Sequence, residues 1–385
     1  MSGGLQRGTP RAARRRSPGR PVIAVALLAT SGFALAGEGG GTADPAGWIA
    51  DLGLHVDARP VRERAGWRPP KVILVGADAP ERIAALRKVA PGVRFVEVPD
   101  RAPAPDVSDA DAAIGICDPD VVARAAKLAW IQLLSAGAER CVRLPVVRER
   151  RPLVTNMQRV YGPAMAEHVF AMLLAFTRSL HPLRAAQERG AWLDRADLPR
   201  LDTLGGKTML VVGLGGIGTE VARRASAFGM RVIATRASGR TGPEYVSYVG
   251  LPDELLPLAS QADVVVNCTP LTPATTGLFD ARFFARMKPT AFFINVGRGR
   301  SAVTADLVEA LQRGRIAGAG LDVVDPEPLP PGHPLWKLPN AIVTPHLSAA
   351  AEMSSGLRWR VVEENLRRYL AGEPMLSVVD IERGY

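Results

Sequence analysis

The sequence predicts an α/β protein with two doubly wound parallel-sheet domains, and three observations predict it. From Lys71 onward, short runs rich in Val, Ile and Leu alternate with segments of helical spacing, the pattern of parallel strands joined by crossover helices. The glycine turn Gly213-x-Gly215-x-x-Gly218 stands between an apolar run and an amphipathic segment. The 385 residues, 47% of them hydrophobic, suffice for two ordinary domains with substantial cores.

The N-terminus reads as an export signal. Arg7, Arg11, Arg14, Arg15, Arg16 and Arg20 precede the uncharged run 21–36, which ends in the small-x-small pattern Ala34-Leu35-Ala36. The run is short for a spanning helix. The expected location is therefore outside the cytoplasm, with no stable membrane association after signal removal. The alternative is a cytoplasmic protein whose first residues are an anchor or follow a mis-assigned start. The arginine cluster suits a twin-arginine route, although Ser17 and Pro18 depart from its usual residues.

Outside this segment 42 basic residues face 38 acidic ones, so most of the net charge of +10 lies at the N-terminus. A nucleic-acid partner is not expected of so weakly basic a body. Cys117, Cys141 and Cys268 lie far apart without a CxxC pair. Neither a disulfide framework nor a metal site is expected, and each cysteine reads as a small apolar residue.

Residues 37–70 read as a linker with one short helix over 48–54. Strands follow over 72–75, 93–98, 111–116, 130–134 and 153–155, with helices over 80–90 and 121–129. Ser135-Ala136-Gly137 stands at the carboxyl end of the fourth strand, where ligands of parallel sheets sit. Its N–H groups suit a small anion, and a plain turn fits as well. Residues 161–180 form an apolar helix with Pro163 in its first turn, ended by His181-Pro182 and followed by a polar connector over 187–204. A helix apolar almost all round is buried between domains or subunits.

The second half repeats the alternation. Strand 208–212, the glycine turn, helix 219–228 and strand 231–235 supply the context of a dinucleotide-binding unit. Glycines let a pyrophosphate approach backbone N–H groups, and the helix N-terminus offers unpaired donors and a positive dipole end. Helices over 252–260, 281–287 and 304–312 then alternate with strands over 262–267, 291–296, 316–322 and 341–343, and a final helix spans 349–370.

Arg298, Glu327 and His346 each follow one of these strands, on the rim where the reactive end of a dinucleotide would lie. Their types suit the reduction of a keto acid. Histidine titrates near neutral pH and donates a proton to the carbonyl oxygen. A carboxylate behind it orients the ring and stabilises its charged form. Arginine binds a carboxylate through a two-pronged hydrogen bond. Taken singly, Arg298 reads also as a surface cation and Glu327 as a loop carboxylate, and a lone histidine such as His346 is more often a hydrogen-bonded structural residue.

With these residues in place the chain resembles the D-isomer-specific 2-hydroxyacid dehydrogenases, in particular those of glyoxylate/hydroxypyruvate reductase type. Matching segments are AEHVFAMLLAFTR (166–178), VVGLGGIGTEVAR (211–223), PLTPATTGL (270–278), FFINVGRG (292–299), GLDVVDPEP (320–328) and TPHLS (344–348). The ending VVDIERGY (378–385) also suits the family.

The resemblance implies a Rossmann NAD(P) domain over 182–347 inserted into a flavodoxin-like substrate domain over 37–181 and 348–385. It also implies a homodimer and a small 2-oxo or 2-hydroxy acid as substrate. By the same resemblance Arg298, Glu327 and His346 are catalytic, and Ser135, Ala136 and Gly137 bind the substrate carboxylate with Arg298. Gly213, Gly215, Gly216, Ile217 and Gly218 hold the pyrophosphate. Thr269, Val296 and Gly297 line the cofactor, and Asp322 approaches the nicotinamide amide.

One position departs from NAD-specific members, which carry Asp at the end of the second nucleotide strand. Here it is Arg236. Arginine pairs with a 2′-phosphate that a carboxylate repels, so NADP(H) is expected over NAD(H). Such a cofactor is in tension with an export signal. Two further functions fit the scaffold: a non-catalytic nucleotide sensor or interaction protein, and a phosphoglycerate dehydrogenase-like enzyme. The second is disfavoured because no extra regulatory domain follows the last helix.

Overall fold

A strand buried on both faces reads as a continuous apolar run, and that is how the two sheets of this protein are built. The computed structural model describes residues 45–76, 80–99, 105–194, 196–197 and 201–385. The signal-like segment lies outside them, so the export expectation has no structural counterpart here.

The chain opens with α1 (Pro45–Asp51) and β1 (Val56–Pro60). It continues through β2 (Val72–Gly76), α2 (Pro80–Val89), β3 (Arg94–Val98), β4 (Ala112–Ile114), α3 (Pro119–Arg124) and β5 (Trp130–Gln132). Then come α4 (Glu139–Val142), α5 (Pro145–Arg150) and β6 (Leu153–Thr155). The five strands β2–β6 form one all-parallel sheet in the order β3-β2-β4-β5-β6.

Next are α6 (Gly162–Thr177), α7 (Leu180–Glu188), β7 (Thr208–Val212), α8 (Gly216–Ala227), β8 (Arg231–Thr235), β9 (Tyr248–Gly250), α9 (Leu255–Ala259) and β10 (Val264–Asn267). They are followed by α10 (Ala281–Arg286), β11 (Phe292–Asn295), α11 (Thr304–Gln312), β12 (Gly318–Leu321) and β13 (Ala341–Val343). The strands β7–β13 form a second all-parallel sheet, ordered β13-β12-β11-β10-β7-β8-β9. The expected α/β class with two parallel sheets is what the chain adopts.

The C-terminus returns to the first sheet. Helix α12 (Glu352–Ala371) stacks Tyr369 on Trp130 of β5 at 4.8 Å, and β14 (Pro374–Leu376) pairs antiparallel with β1. A buried polar network ties the return down. Asn365 Nδ2 donates to Gln132 Oε1 (2.8 Å), and Leu376 N donates to Asn365 Oδ1 (2.8 Å). Thr155 Oγ1 donates to the same Gln132 oxygen (2.8 Å) and accepts from Trp130 Nε1 (2.9 Å). Every such buried partner matters, because a lost one leaves a desolvated amide at a cost of about 1–3 kcal/mol.

Three expectations are corrected. The apolar helix ends at Thr177, where Ser179 turns the chain with a left-handed φ of 51°. His181 and Pro182 do not end a helix; they fall in the first turn of α7, where proline is tolerated. Cys117 and Cys141 are not separate apolar residues: a disulfide joins them, bridging the segment after β4 to α4. Their separation of 24 residues hid a contact that the parallel sheet creates by setting β4 beside β5. The nucleotide-type helix starts at Gly216, inside the glycine turn, not at Thr219.

Helix α6 packs on the seven-stranded sheet. Phe176 stacks on Phe292 of β11 and Phe170 on Phe228, at 5.2 and 5.0 Å. A Cβ on Gly320 of β12 would lie 2.9 Å from the Met172 sulfur, so glycine there admits the helix. No helix of the described residues is long and apolar enough to cross a membrane.

Candidate active site

The glycine turn is shaped by contacts only glycine permits. Gly213 has a φ of 95°, and a Cβ there would stand 3.0 Å from the Cys268 carbonyl. A Cβ on Gly218 would lie 2.2 Å from the Gly213 carbonyl oxygen, so α8 and β7 could not approach as they do. A Cβ on Gly216 would strike Arg159, at 2.5 Å from its Cγ. Gly215 differs: a Cβ there would meet nothing within 4 Å. Gly215 is also the N-cap of α8 and supplies no side chain to its first N–H groups. An open glycine before an uncapped helix start fits a pyrophosphate. Ile217 is partly buried against the core that α6 shares.

Beside this turn, an amide network fixes the ends of β10 and β11. Asn267 Nδ2 donates to Asn295 Oδ1 (2.9 Å), and Thr269 donates to Asn267 Oδ1 through N (3.0 Å) and Oγ1 (2.7 Å). Gly297 N donates to Asn295 Oδ1 (3.1 Å), and Asn295 Nδ2 to the Arg298 carbonyl (3.1 Å). Thr269 and Gly297 are thus held by one buried pair of amides; Val296 is buried beside them. Arg236, at the end of β8, donates from Nε to Ser238 Oγ (2.8 Å) and from Nη1 to the Thr241 carbonyl (3.0 Å).

Asp322, just after β12, anchors the loop that follows β13. Its side chain is fully buried, and its carboxylate accepts from Thr344 Oγ1 (2.7 Å), Leu347 N (2.9 Å) and Ser348 N (3.0 Å). Burial raises its pKa, but these hydrogen bonds prevail and hold the carboxyl below its ordinary value. His168 of α6 shares the Thr344 hydroxyl at 2.9 Å. Asp322 therefore pins the segment 344–348 that carries His346. His346 itself has a left-handed φ of 53°, held by its N–H bonding the carbonyls of Asp322 (2.9 Å) and Thr344 (3.0 Å). A non-glycine residue in that region is strained and persists because its surroundings fix it.

His346 and Glu327 are brought together: His346 Nδ1 lies 2.6 Å from Glu327 Oε1. Both side chains are about half exposed, at 47% and 40%. Glu327 follows β12 and His346 follows β13, which are neighbours in register. Arg298 follows β11, and its loop packs on the next: a Cβ on Gly299 would lie 1.8 Å from the Val324 carbonyl oxygen. The three strand ends thus stand side by side.

Arg298 reaches across to the other sheet. Its guanidinium lies against Gly137, where a Cβ would be 1.7 Å from Nη2. The loop after β5 is braced by Asn156 Nδ2 to the Ala136 carbonyl (2.7 Å) and Ser135 Oγ to the Gly137 carbonyl (2.7 Å). Ser135, Ala136, Gly137 and Arg298 therefore share one site.

The residue that sequence reasoning missed is Glu139. Its carboxylate accepts from Arg298 Nε at 2.6 Å and from Nη2 at 3.4 Å. Burial pushes its pKa up, but the Arg298 hydrogen bond and charge prevail and hold it below the usual value. The available signal is its place two residues past Gly137, just beyond a strand's carboxyl end.

Residues 170–348 match the family described as D-isomer specific 2-hydroxyacid dehydrogenase, NAD binding domain. The chain is 36% identical over 262 residues to a human glyoxylate reductase/hydroxypyruvate reductase, covering 66% of this chain and 78% of that protein. It is 32% identical over 271 residues to a glyoxylate/hydroxypyruvate reductase A from Photorhabdus laumondii, covering 69% and 84%. Among solved structures it is similar to the NADPH-dependent glyoxylate/hydroxypyruvate reductase of Sinorhizobium meliloti in complex with NADP and sulfate. That match has a TM-score of 0.70 and 31% identity, over 82% of this chain and 99% of that one.

Proposed function

The chain belongs to the D-isomer-specific 2-hydroxyacid dehydrogenase family, whose members are NAD(P)-dependent oxidoreductases acting on CH–OH groups, and on that premise we propose that it reduces a small 2-oxo acid at C2. The observation that carries the reading is the juxtaposition of Arg298 on the Gly137 loop with the Glu327–His346 pair at neighbouring strand ends.

Arg298 binds the substrate carboxylate and keto oxygen, helped by the backbone of Ser135, Ala136 and Gly137. Glu327 accepts from His346 Nδ1 and leaves Nε2 to deliver a proton to the keto oxygen. Gly213, Gly215, Gly216, Ile217 and Gly218 hold the pyrophosphate, and Thr269, Val296 and Gly297 line the rest of the cofactor groove. A bound nicotinamide cofactor supplies the hydride. The open Cα face of Gly215 and the uncapped start of α8 support this fit.

The cofactor is NADP(H), read by Arg236, with NAD(H) the alternative. The bound NADP of the Sinorhizobium reductase supports this. Arg236→Asp is expected to shift preference toward NADH, read as the ratio of kcat/KM for the two cofactors; an unchanged ratio contradicts the assignment. The division into a substrate domain, 37–181 with 348–385, and a nucleotide domain, 182–347, belongs to the same reading. The return of α12 to the first sheet supports it, as α6 bridging toward the second suits a hinge. The protein acts as a homodimer, a point that sedimentation of the purified chain tests.

The substrate class is tested by loss of NADPH absorbance with glyoxylate, hydroxypyruvate and pyruvate. Turnover of at least one is expected. Retained NADPH binding without any turnover contradicts the reading and favours the nucleotide sensor.

A further inference from the structure

The ion pair between Glu139 and Arg298 places a negative charge where a substrate carboxylate is to bind. The guanidinium has five N–H donors. Nε and Nη2 each give one to Glu139, and Nη1 gives one to the Gly297 carbonyl. Two remain, one on each terminal nitrogen, which is enough for a two-pronged grip on one carboxylate and keto oxygen. The side chains of both partners are largely withdrawn from water, at 25% and 16% exposed, so their charges are weakly screened. Gly137 brings the substrate loop within contact of the same guanidinium. Arg143, the other cation acting on Glu139, is itself bonded to the Leu271 carbonyl at 3.0 Å.

We propose that Glu139 is a positioning residue for Arg298, and that its charge sets the site's preference for 2-oxo acids carrying a single carboxylate. The inference rests on the reductase reading above. Glu139 holds the Nε side of the guanidinium, so the two free donors keep a fixed direction. It also cancels the arginine charge. A monoanion then enters a neutral pair and finds its hydrogen bonds. A dianion brings a second carboxylate beside a pair whose charges already cancel, and Glu139 repels it.

The test separates charge from grip. Glu139→Gln keeps the size and one acceptor while removing the charge. Its kcat/KM for oxaloacetate relative to pyruvate is expected to rise about tenfold over wild type. Glu139→Ala removes the grip, and kcat/KM for both acids is expected to fall by about 10²-fold. The fall should appear in kcat as well as KM, and Glu139→Asp should recover part of it.

Equilibrium binding of oxamate and of tartronate to wild type and Glu139→Gln, with and without NADP⁺, reads the charge effect without turnover. Tightening of tartronate relative to oxamate is the expected result. An unchanged tartronate-to-oxamate ratio, or wild-type kcat/KM in Glu139→Ala, overturns the proposal. A wild-type protein that binds oxamate but reduces no 2-oxo acid overturns the reductase reading instead, and the binding ratio still decides the charge effect.

Discussion

Two pairs of a carboxylate with a basic side chain stand near the strand ends, and they differ in what the basic side chain does. Glu327 holds a histidine, with both side chains about half exposed. Glu139 holds an arginine, with both side chains mostly shielded. Histidine changes charge near neutral pH, so an open pair suits a proton that must come and go. Arginine keeps its charge, so a shielded pair suits a fixed point of attachment. The first pair joins neighbouring strands of one sheet; the second joins the two sheets. On the proposed reading, proton transfer is assembled within the nucleotide-type sheet, while substrate capture depends on both.

The comparison breaks most readily at the histidine. His346→Gln is expected to lower kcat by about 10³-fold, the usual range for a lost general acid. Because the side chain is half exposed, the melting temperature should stay near wild type; a large drop would mean a structural role. Gly137→Ala attacks the other pair. The added Cβ would overlap the Arg298 guanidinium, so kcat/KM should fall about 10²-fold. Near-wild-type kinetics would show that Arg298 does not work from this position.

Support for the two pairs can be tested through stability. Replacing Cys117 and Cys141 by serine opens a 24-residue loop that holds α4 and Glu139, at an expected cost of about 3 kcal/mol in denaturant unfolding. Asp322→Asn weakens the anchor under His346, with a smaller expected loss of about 2 kcal/mol at neutral pH. Its sign with pH follows from the lowered carboxyl. Asp322 contributes fully above the unfolded-state value, near pH 4, and that contribution is lost as pH falls through the lower folded-state value. The gap between wild type and Asp322→Asn should therefore narrow in acid; a gap constant with pH would contradict the assignment.

What the sequence discloses follows the same division. Strands β7, β8 and β13 and helix α11 appear where their apolar runs and spacing put them, and the glycine turn and the trio Arg298, Glu327 and His346 stand at strand ends as expected. Those signals are local: strand, turn and side chain lie within a few residues. Glu139, the disulfide and the work of Asp322 depend on segments distant in sequence. Glu139 meets an arginine 159 residues away, and Asp322 binds a loop beyond the next strand. The antiparallel pair β1–β14 escaped for the same reason, since neither short strand has periodicity of its own to betray its partner. The break at Ser179 was misread because Pro182 looks like a stop, although proline also opens helices.

The most direct measurement of the central claim is the product formed from hydroxypyruvate and NADPH, resolved by chiral chromatography. Wild type should yield D-glycerate in step with NADPH consumed, and His346→Gln should yield almost none in the same time. L-glycerate, a racemic product, or formation by the variant at the wild-type rate would contradict the account.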